Sequence, residues 1–140
     1  MNISARIFNE NGKHQVSLTT GGNEHSLNIP SKPEGFGSRV NGGELLFLAL
    51  ATCYCNDLYR EAKKRNMVID QLQVEVSGEF GGEGEGARNI EYRASVVADA
   101  PQDDILDLMR HTDSVAEIHN TLRASTPVML AHCEARQHKP

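Results

Sequence analysis

The chain has 140 residues, a net charge of −5, three cysteines, no tryptophan and 5% aromatic residues. One domain of this length buries roughly two-thirds of its unfolded surface, so it can hold a core without disulfides or metal, and that core must come mostly from Leu, Val, Ile and Ala. The acidic balance and scattered basic residues argue against a nucleic-acid partner or an anionic membrane surface, and no stretch reaches the ~18 apolar residues of a membrane span. The start, MNISARIFNENGK, has no cationic residues followed by an apolar run, so a cytoplasmic location is expected. Three cysteines without repeated spacing suit reduced thiols rather than a disulfide framework.

The chain opens with short alternating segments, Ile3 to Phe8 and Gln15 to Thr19, separated by Asn-Gly at 11–12, the strongest short hairpin signal. Gly21-Gly22-Asn23 precedes a third segment, His25 to Ile29, which predicts a three-stranded antiparallel meander. Residues 31–43 carry too many glycines and prolines for a regular element and read as a loop. Asn41 to Arg65 then predicts a long helix around which the rest is organised. Leu45, Leu46, Phe47, Leu48, Ala49, Leu50 and Ala51 would cover every side of it, so its first half is expected to be buried. From Asn56 onward the charges Asp57, Arg60, Glu61, Lys63, Lys64 and Arg65 carry it into water, with cations in its last turn.

Val68 to Phe80 alternates as a strand with one wet face, and Ile90 to Ala98 returns beside it. The intervening GGEGEGARN is read as a hairpin tip, because it lacks the Lys-Ser/Thr of a phosphate loop and its glutamates would repel an anion. Pro101 suits the first turn of a helix with Ile105, Leu106, Leu108 and Met109 on its apolar side. Ser114-Val-Ala-Glu117 has the capping-box pattern for a second short helix to about Ala124. Thr126 to Ala135 is expected to close the chain as a strand. This order of elements in one domain, residues 1–140, is α+β.

A thiol reacts as thiolate and needs a nearby cation, metal or helix N-terminus to do so at neutral pH. Cys53 lies roughly 13 Å inside the predicted helix, beyond reach of a dipole that fades within the first turn. The cation must therefore come from elsewhere. Arg39 in the preceding loop is the nearest candidate, and Arg60 shares the helix face of Cys53 but is opposed by Asp57. The residues alone leave Cys53 open between a small buried hydrophobe and a reactive thiol. Cys55 sits about 200° around the helix from Cys53, so the two cannot pair without unwinding it. His132, Cys133 and His138 lack the paired ligand spacing of a metal site, and no metal or other cofactor is expected. His14, His25, His111 and His119 are expected on the surface.

Phe36-Gly37-Ser38-Arg39, the run Gly42-Gly43-Glu44-Leu45-Leu46-Phe47-Leu48-Ala49-Leu50-Ala51-Thr52-Cys53, and Ser125-Thr126-Pro127-Val128 resemble the OsmC/Ohr family of thiol-dependent hydroperoxide reductases. The element order agrees over nearly the whole chain. The resemblance implies an OsmC-like fold, with antiparallel sheets around a long buried central helix in an intertwined homodimer that carries two sites at its interface. It also implies a peroxide site made by a Cys in the helix, an Arg before it and a Glu at its start, which fall on Cys53, Arg39 and Glu44. Phe36, Leu46, Leu50 and Thr126 would then line the substrate pocket. Glu44 is nine residues before the Cys, as in a less characterised OsmC-like branch, whereas the well-known peroxidases place it ten before, where this chain has Gly43.

Thr126-Pro127 stands where the family carries the Cys-Pro of its resolving thiol, and threonine cannot form a disulfide. Cys133, seven residues on, would face the other side of a strand. Two functions follow from the resemblance. One is a thiol peroxidase that reduces organic hydroperoxides in oxidative-stress defence, with Cys53 as nucleophile and an external thiol as resolving partner. The other is a non-peroxidatic dimer of the same fold, binding a small apolar or acidic ligand in the interface pocket.

Overall fold

A computed structural model describes residues 1–138. The chain divides into two compact units, Met1–Leu48 with Ser77–Glu91, and Ala49–Val76 with the residues from Tyr92 onward. Both the long helix and the long hairpin contribute residues to each unit.

In the first unit the meander forms as the turn signals predict. Strands β1 (Ile3–Glu10), β2 (Lys13–Thr20) and β3 (Asn23–Ser26) pair antiparallel in the order β1-β2-β3, with Ile3 opposite Thr20 and Thr20 opposite Asn23. Gly21 and Gly22 both take positive φ, 54° and 83°, which a two-residue turn matching the strand twist requires. The third strand ends at Ser26, short of the expected Ile29, which is nevertheless buried beyond it. The sheet covers little: Val16 is buried, while Ile3, Ile7 and Phe8 are 67%, 59% and 48% exposed. The glycine-rich loop is held by main-chain bonds, from Lys32 N–H to Gly37 O and from Arg39 N–H to Pro30 O.

Helix α1 (Gly42–Lys64) opens with a capping box absent from the sequence reading. Asn41 Oδ1 accepts from Glu44 N–H at 2.8 Å, and Glu44 Oε1 accepts from Asn41 N–H at 3.0 Å. This satisfies two of the donors that a helix start leaves unpaired. The hairpin of β4 (Ile69–Phe80) and β5 (Ala87–Ala98) sends its tip into this unit, where Phe47 stacks on Phe80 with centroids 6.0 Å apart. Glycine at 78 permits that approach, since a Cβ there would lie 2.8 Å from the Phe47 ring.

The second unit holds the tighter core. Leu50, Tyr54, Leu58 and Ala62 recur every four residues on α1 and are all buried, the stripe expected of a helix with one covered face. Tyr54, Leu58 and Ala62 meet Leu108 of α2 (Gln102–Val115), with Met67, Ile69, Leu72, Val74, Tyr92, Ala94, Val96 and Met109 packed around the four. Helix α3 (Glu117–Arg123) follows a one-residue break at Ala116, whose ψ of 113° is extended. The expected capping box does not form. Ser114 remains in the last turn of α2 and its hydroxyl donates to His111 O at 2.6 Å, a local bond that competes with capping.

Two expectations are corrected. Apart from Leu50, the buried part of α1 is its charged second half, where even Asp57 and Glu61 are 7% and 4% exposed, whereas Leu48 in the apolar half is 58% exposed. Burial follows the neighbours that one chain supplies, and an all-apolar stretch needs cover on more sides than the hairpin tip gives. Residues 126–135 form no strand: they run without ladder bonds among the described residues, with Val128, Met129 and Leu130 81–99% exposed. A strand exists only through a pairing neighbour, and no strand of the same chain pairs with this one. Among the described residues no helix is long and apolar enough to cross a membrane.

Candidate functional site

Cys53, Asp57 and Arg60 follow one another by four and three residues on α1, so they share a face. The break at Ala116 sets the first residue of α3, Glu117, beside them. The Cys53 thiol is half-buried and points its S–H toward Asp57 Oδ2 at 3.4 Å, with Glu117 Oε2 at 3.9 Å. Arg60 closes the cluster. Its Nη1 donates to Asp57 Oδ1 at 3.1 Å and to Glu117 Oε1 at 2.9 Å, while its Nε donates to Glu61 Oε2 at 2.8 Å. Glu61 also accepts from Lys64 at 2.9 Å and lies 2.9 Å from His111 Nε2.

The electrostatics follow from this packing. Burial pushes the Cys53 thiol up, a hydrogen bond with the Ile118 backbone opposes it, and the adjacent Asp57 and Glu117 carboxylates add to the rise. Burial also raises Asp57, helped by Glu117. Glu117 drops to about 2 through its contact with Asp57, and the Arg60 guanidinium adds to the effect. Glu61 is held at about 2 by Lys64, Arg60 and His111, despite burial. The sulfur thus sits beside a carboxylate oxygen placed to take its proton.

The other residues singled out by the sequence lie as follows. Arg39 is exposed in the loop of the first unit and makes no ion pair or side-chain hydrogen bond among the described residues. The Glu44 carboxylate is occupied by the helix cap, and among the described residues it makes no ion pair with Arg39. Of the four pocket residues, Leu50 is buried, Leu46 half-buried, Phe36 64% exposed and Thr126 exposed, its hydroxyl donating to Thr121 O at 3.1 Å. Cys55 faces a shallow groove of about 270 Å³ lined by Ala51, Thr52, Asn56, Leu72 and Val74. Cys133 is exposed, and all three thiols are free. Because residues 126–135 form no strand, the face-based separation of Cys133 from Thr126 does not apply within one chain.

Sequence reasoning missed Glu117 and His119, since neither can be placed without the break at Ala116. His119, expected on the surface, is 4% exposed, lies edge-on to Tyr92 with centroids 4.8 Å apart, and among the described residues has no hydrogen-bond partner at either ring nitrogen. Burial, reinforced by the Arg123 charge, lowers its pKa. His14 is also half-buried, its Nδ1 lying 2.9 Å from Asn9 Nδ2, while His25 and His111 are exposed. Tyr92 donates to Asp113, which also pairs with Arg123 at 2.8 Å.

The sulfur and carboxylate oxygens of Cys53, Asp57 and Glu117 lie within 4.8 Å of one another, a donor set that could hold a metal ion. The Arg60 guanidinium already occupies the approach to both carboxylates. His132, Cys133 and His138 lie outside that set in the exposed tail.

The OsmC family profile, described as OsmC-like protein, matches residues 35–131, a span that includes Arg39, Glu44, Cys53 and Thr126. An OsmC-like protein from Mycoplasma pneumoniae is similar in fold, with a TM-score of 0.59, 19% identity, and coverage of 87% of this chain and 86% of that one. An OsmC-like protein of unknown function from Vibrio cholerae gives a TM-score of 0.60 at 14% identity, covering 86% and 93%. An organic hydroperoxide resistance protein from Elizabethkingia anophelis, solved with thiocyanate bound, gives 0.57 at 18% identity, covering 88% and 89%. Comparison with curated proteins gives no match. With the mixed helix and antiparallel-sheet architecture and a profile match across most of its length, the chain belongs to the OsmC family.

Proposed function

We propose that this protein reduces organic hydroperoxides in oxidative-stress defence, with Cys53 as the nucleophile and an external thiol as the resolving partner. The observation that carries the reading is a free, half-exposed cysteine on the long helix of an OsmC domain, with a proton acceptor 3.4 Å from its sulfur. Similarity to a protein named for organic hydroperoxide resistance supports the substrate class. The sulfur attacks the terminal peroxide oxygen, the O–O bond breaks, the alcohol departs, and Cys53 is left as a sulfenic acid. Thr126 offers no thiol for the next step. An external thiol then forms a mixed disulfide with release of water, and a second thiol restores Cys53.

Arg39, which makes no ion pair among the described residues, is the cation assigned to favour the thiolate, and Glu44, whose carboxylate caps α1, is the acid assigned to the site. Phe36, Leu46, Leu50 and Thr126 remain the residues assigned to substrate contact. The working form is a cytoplasmic homodimer. Its support is the exposure of Ile3, Ile7, Leu48, Val128, Met129 and Leu130, large apolar side chains that a second copy of the chain would cover. Light scattering at micromolar concentration should give a mass near twice 15.4 kDa. A stable monomer would remove the shared-site arrangement.

The alternative, a dimer that binds a small apolar or acidic ligand without peroxide chemistry, is favoured by one observation: the half-buried Cys53 sulfur has two carboxylates, Asp57 and Glu117, at 3.4 and 3.9 Å, which with burial raise the pKa of its thiol. Consumption of cumene hydroperoxide with dithiothreitol as the external thiol separates the two readings. Turnover proportional to enzyme is the expected result, and no loss of hydroperoxide above the blank would leave the binding reading.

A further inference from the structure

The geometry points to Asp57 as the proton shuttle of the Cys53 reaction, taking the thiol proton as sulfur attacks and returning it to the departing alkoxide. This rests on the peroxidase reading of Cys53 above. Asp57 is the best placed of the acids near the sulfur. Its Oδ2 is the oxygen closest to Sγ, at 3.4 Å, and its side chain is 9% exposed, whereas Glu117 stands at 3.9 Å with 62% exposure. Its other oxygen, Oδ1, is fixed by Arg60 at 3.1 Å, so the carboxylate cannot turn away from the thiol. It lies one turn along the same rigid helix, which holds the contact without help from a loop.

The step balances. The S–H bond breaks and its proton passes to Asp57 Oδ2 while the sulfur lone pair forms a bond to the terminal oxygen of the hydroperoxide. The O–O bond breaks, its electron pair leaves on the alkoxide oxygen, and Asp57 protonates that oxygen to release the alcohol. Sulfur is oxidised to the sulfenic acid, the peroxide is reduced, and Asp57 ends as the carboxylate it began. A buried carboxylate whose proton affinity is raised by its surroundings is a better base than a solvated one. Arg60, which also holds Glu61 and Glu117, keeps the negative charge of the cluster bearable when the proton is absent.

Asp57→Asn tests this because the two reactions of the sulfur should move in opposite directions. Alkylation by iodoacetamide releases iodide, which needs no proton. Removing the carboxylate charge should therefore shift its pH profile to lower pH and raise its rate at pH 7. Oxidation by cumene hydroperoxide, which must expel an alkoxide, should fall by about 10²-fold or more. Oxidation by peracetic acid, whose leaving carboxylate needs no proton, should be retained, which also shows that the variant site is folded. A hydroperoxide rate that rises together with alkylation, or a peracid rate that falls with it, would overturn the shuttle while leaving Cys53 as nucleophile. Parent protein that gains no oxygen from either oxidant would overturn the peroxidase reading and the shuttle with it. Should Asp57→Asn fail to fold, the parent decides alone: in D2O the cumene hydroperoxide reaction, which needs a second proton delivered to the alkoxide, should slow more than the peracid reaction, and equal effects would overturn the proposal.

Discussion

Cys53→Ser is expected to abolish hydroperoxide turnover, by at least about 10³-fold, while the fold stays intact. The serine hydroxyl can donate to Asp57 as the thiol does, so the carboxylate keeps a partner and stability should change by no more than about 1 kcal/mol. What is lost is the chemistry: oxygen at this position is a far weaker nucleophile and cannot be carried to a sulfenic acid and back. Cys55 and Cys133 remain in the variant, so the comparison also assigns any residual oxidation. Steady-state consumption of cumene hydroperoxide with external thiol, alongside a thermal melt of each protein, checks both parts. Turnover that survives would move the site to another thiol, with exposed Cys133 the first to map.

The second large effect is on stability. Leu108→Ala should cost about 2–5 kcal/mol, the range for removing a fully buried leucine. Leu108 is 0% exposed and touches the α1 stripe of Tyr54, Leu58 and Ala62, with Met109 and the hairpin residues around it. Those neighbours sit on three different elements, and none can close the cavity without leaving another partner. A chain of this size melts lower by roughly 3 °C per kcal/mol, so the drop should be on the order of 10 °C by calorimetry. A fall of less than about 2 °C would mean that α2 does not anchor the second unit. Because α3 and Glu117 follow α2 by a single residue, the variant should also loosen the carboxylate cluster around Cys53.

The elements with local signals were legible in the sequence: Gly21-Gly22 fixed one hairpin, alternation marked β4 and β5, and Pro101 marked the start of α2. The helix boundaries and the resemblance around Cys53 placed the thiol correctly on α1, and the Asp57 and Arg60 neighbours could be read from their spacing. What could not be read depends on tertiary contacts. Ser114 to Glu117 has a capping pattern that loses to a bond from the serine hydroxyl back to His111, and the resulting break at Ala116 decides where Glu117 and His119 point. The apolar start of α1 was expected to be buried because composition reports that a surface wants cover, but composition does not say which chain supplies it. The same holds for residues 126–135, whose strand-like sequence lacks a neighbour within the chain. Glu44 was singled out by its distance from Cys53, and nothing in that spacing revealed its use as a helix cap.

Cys53 is expected to be oxidised by hydroperoxide and then to wait for a thiol from outside. Treating the reduced protein with one equivalent of an organic hydroperoxide in the absence of reductant, followed by intact mass and disulfide mapping, addresses it without any assumption about the physiological reductant. The account predicts a gain of one oxygen located on Cys53, with no disulfide to Cys55 or Cys133. An unchanged mass at every hydroperoxide concentration, or a Cys53–Cys133 disulfide, would contradict it.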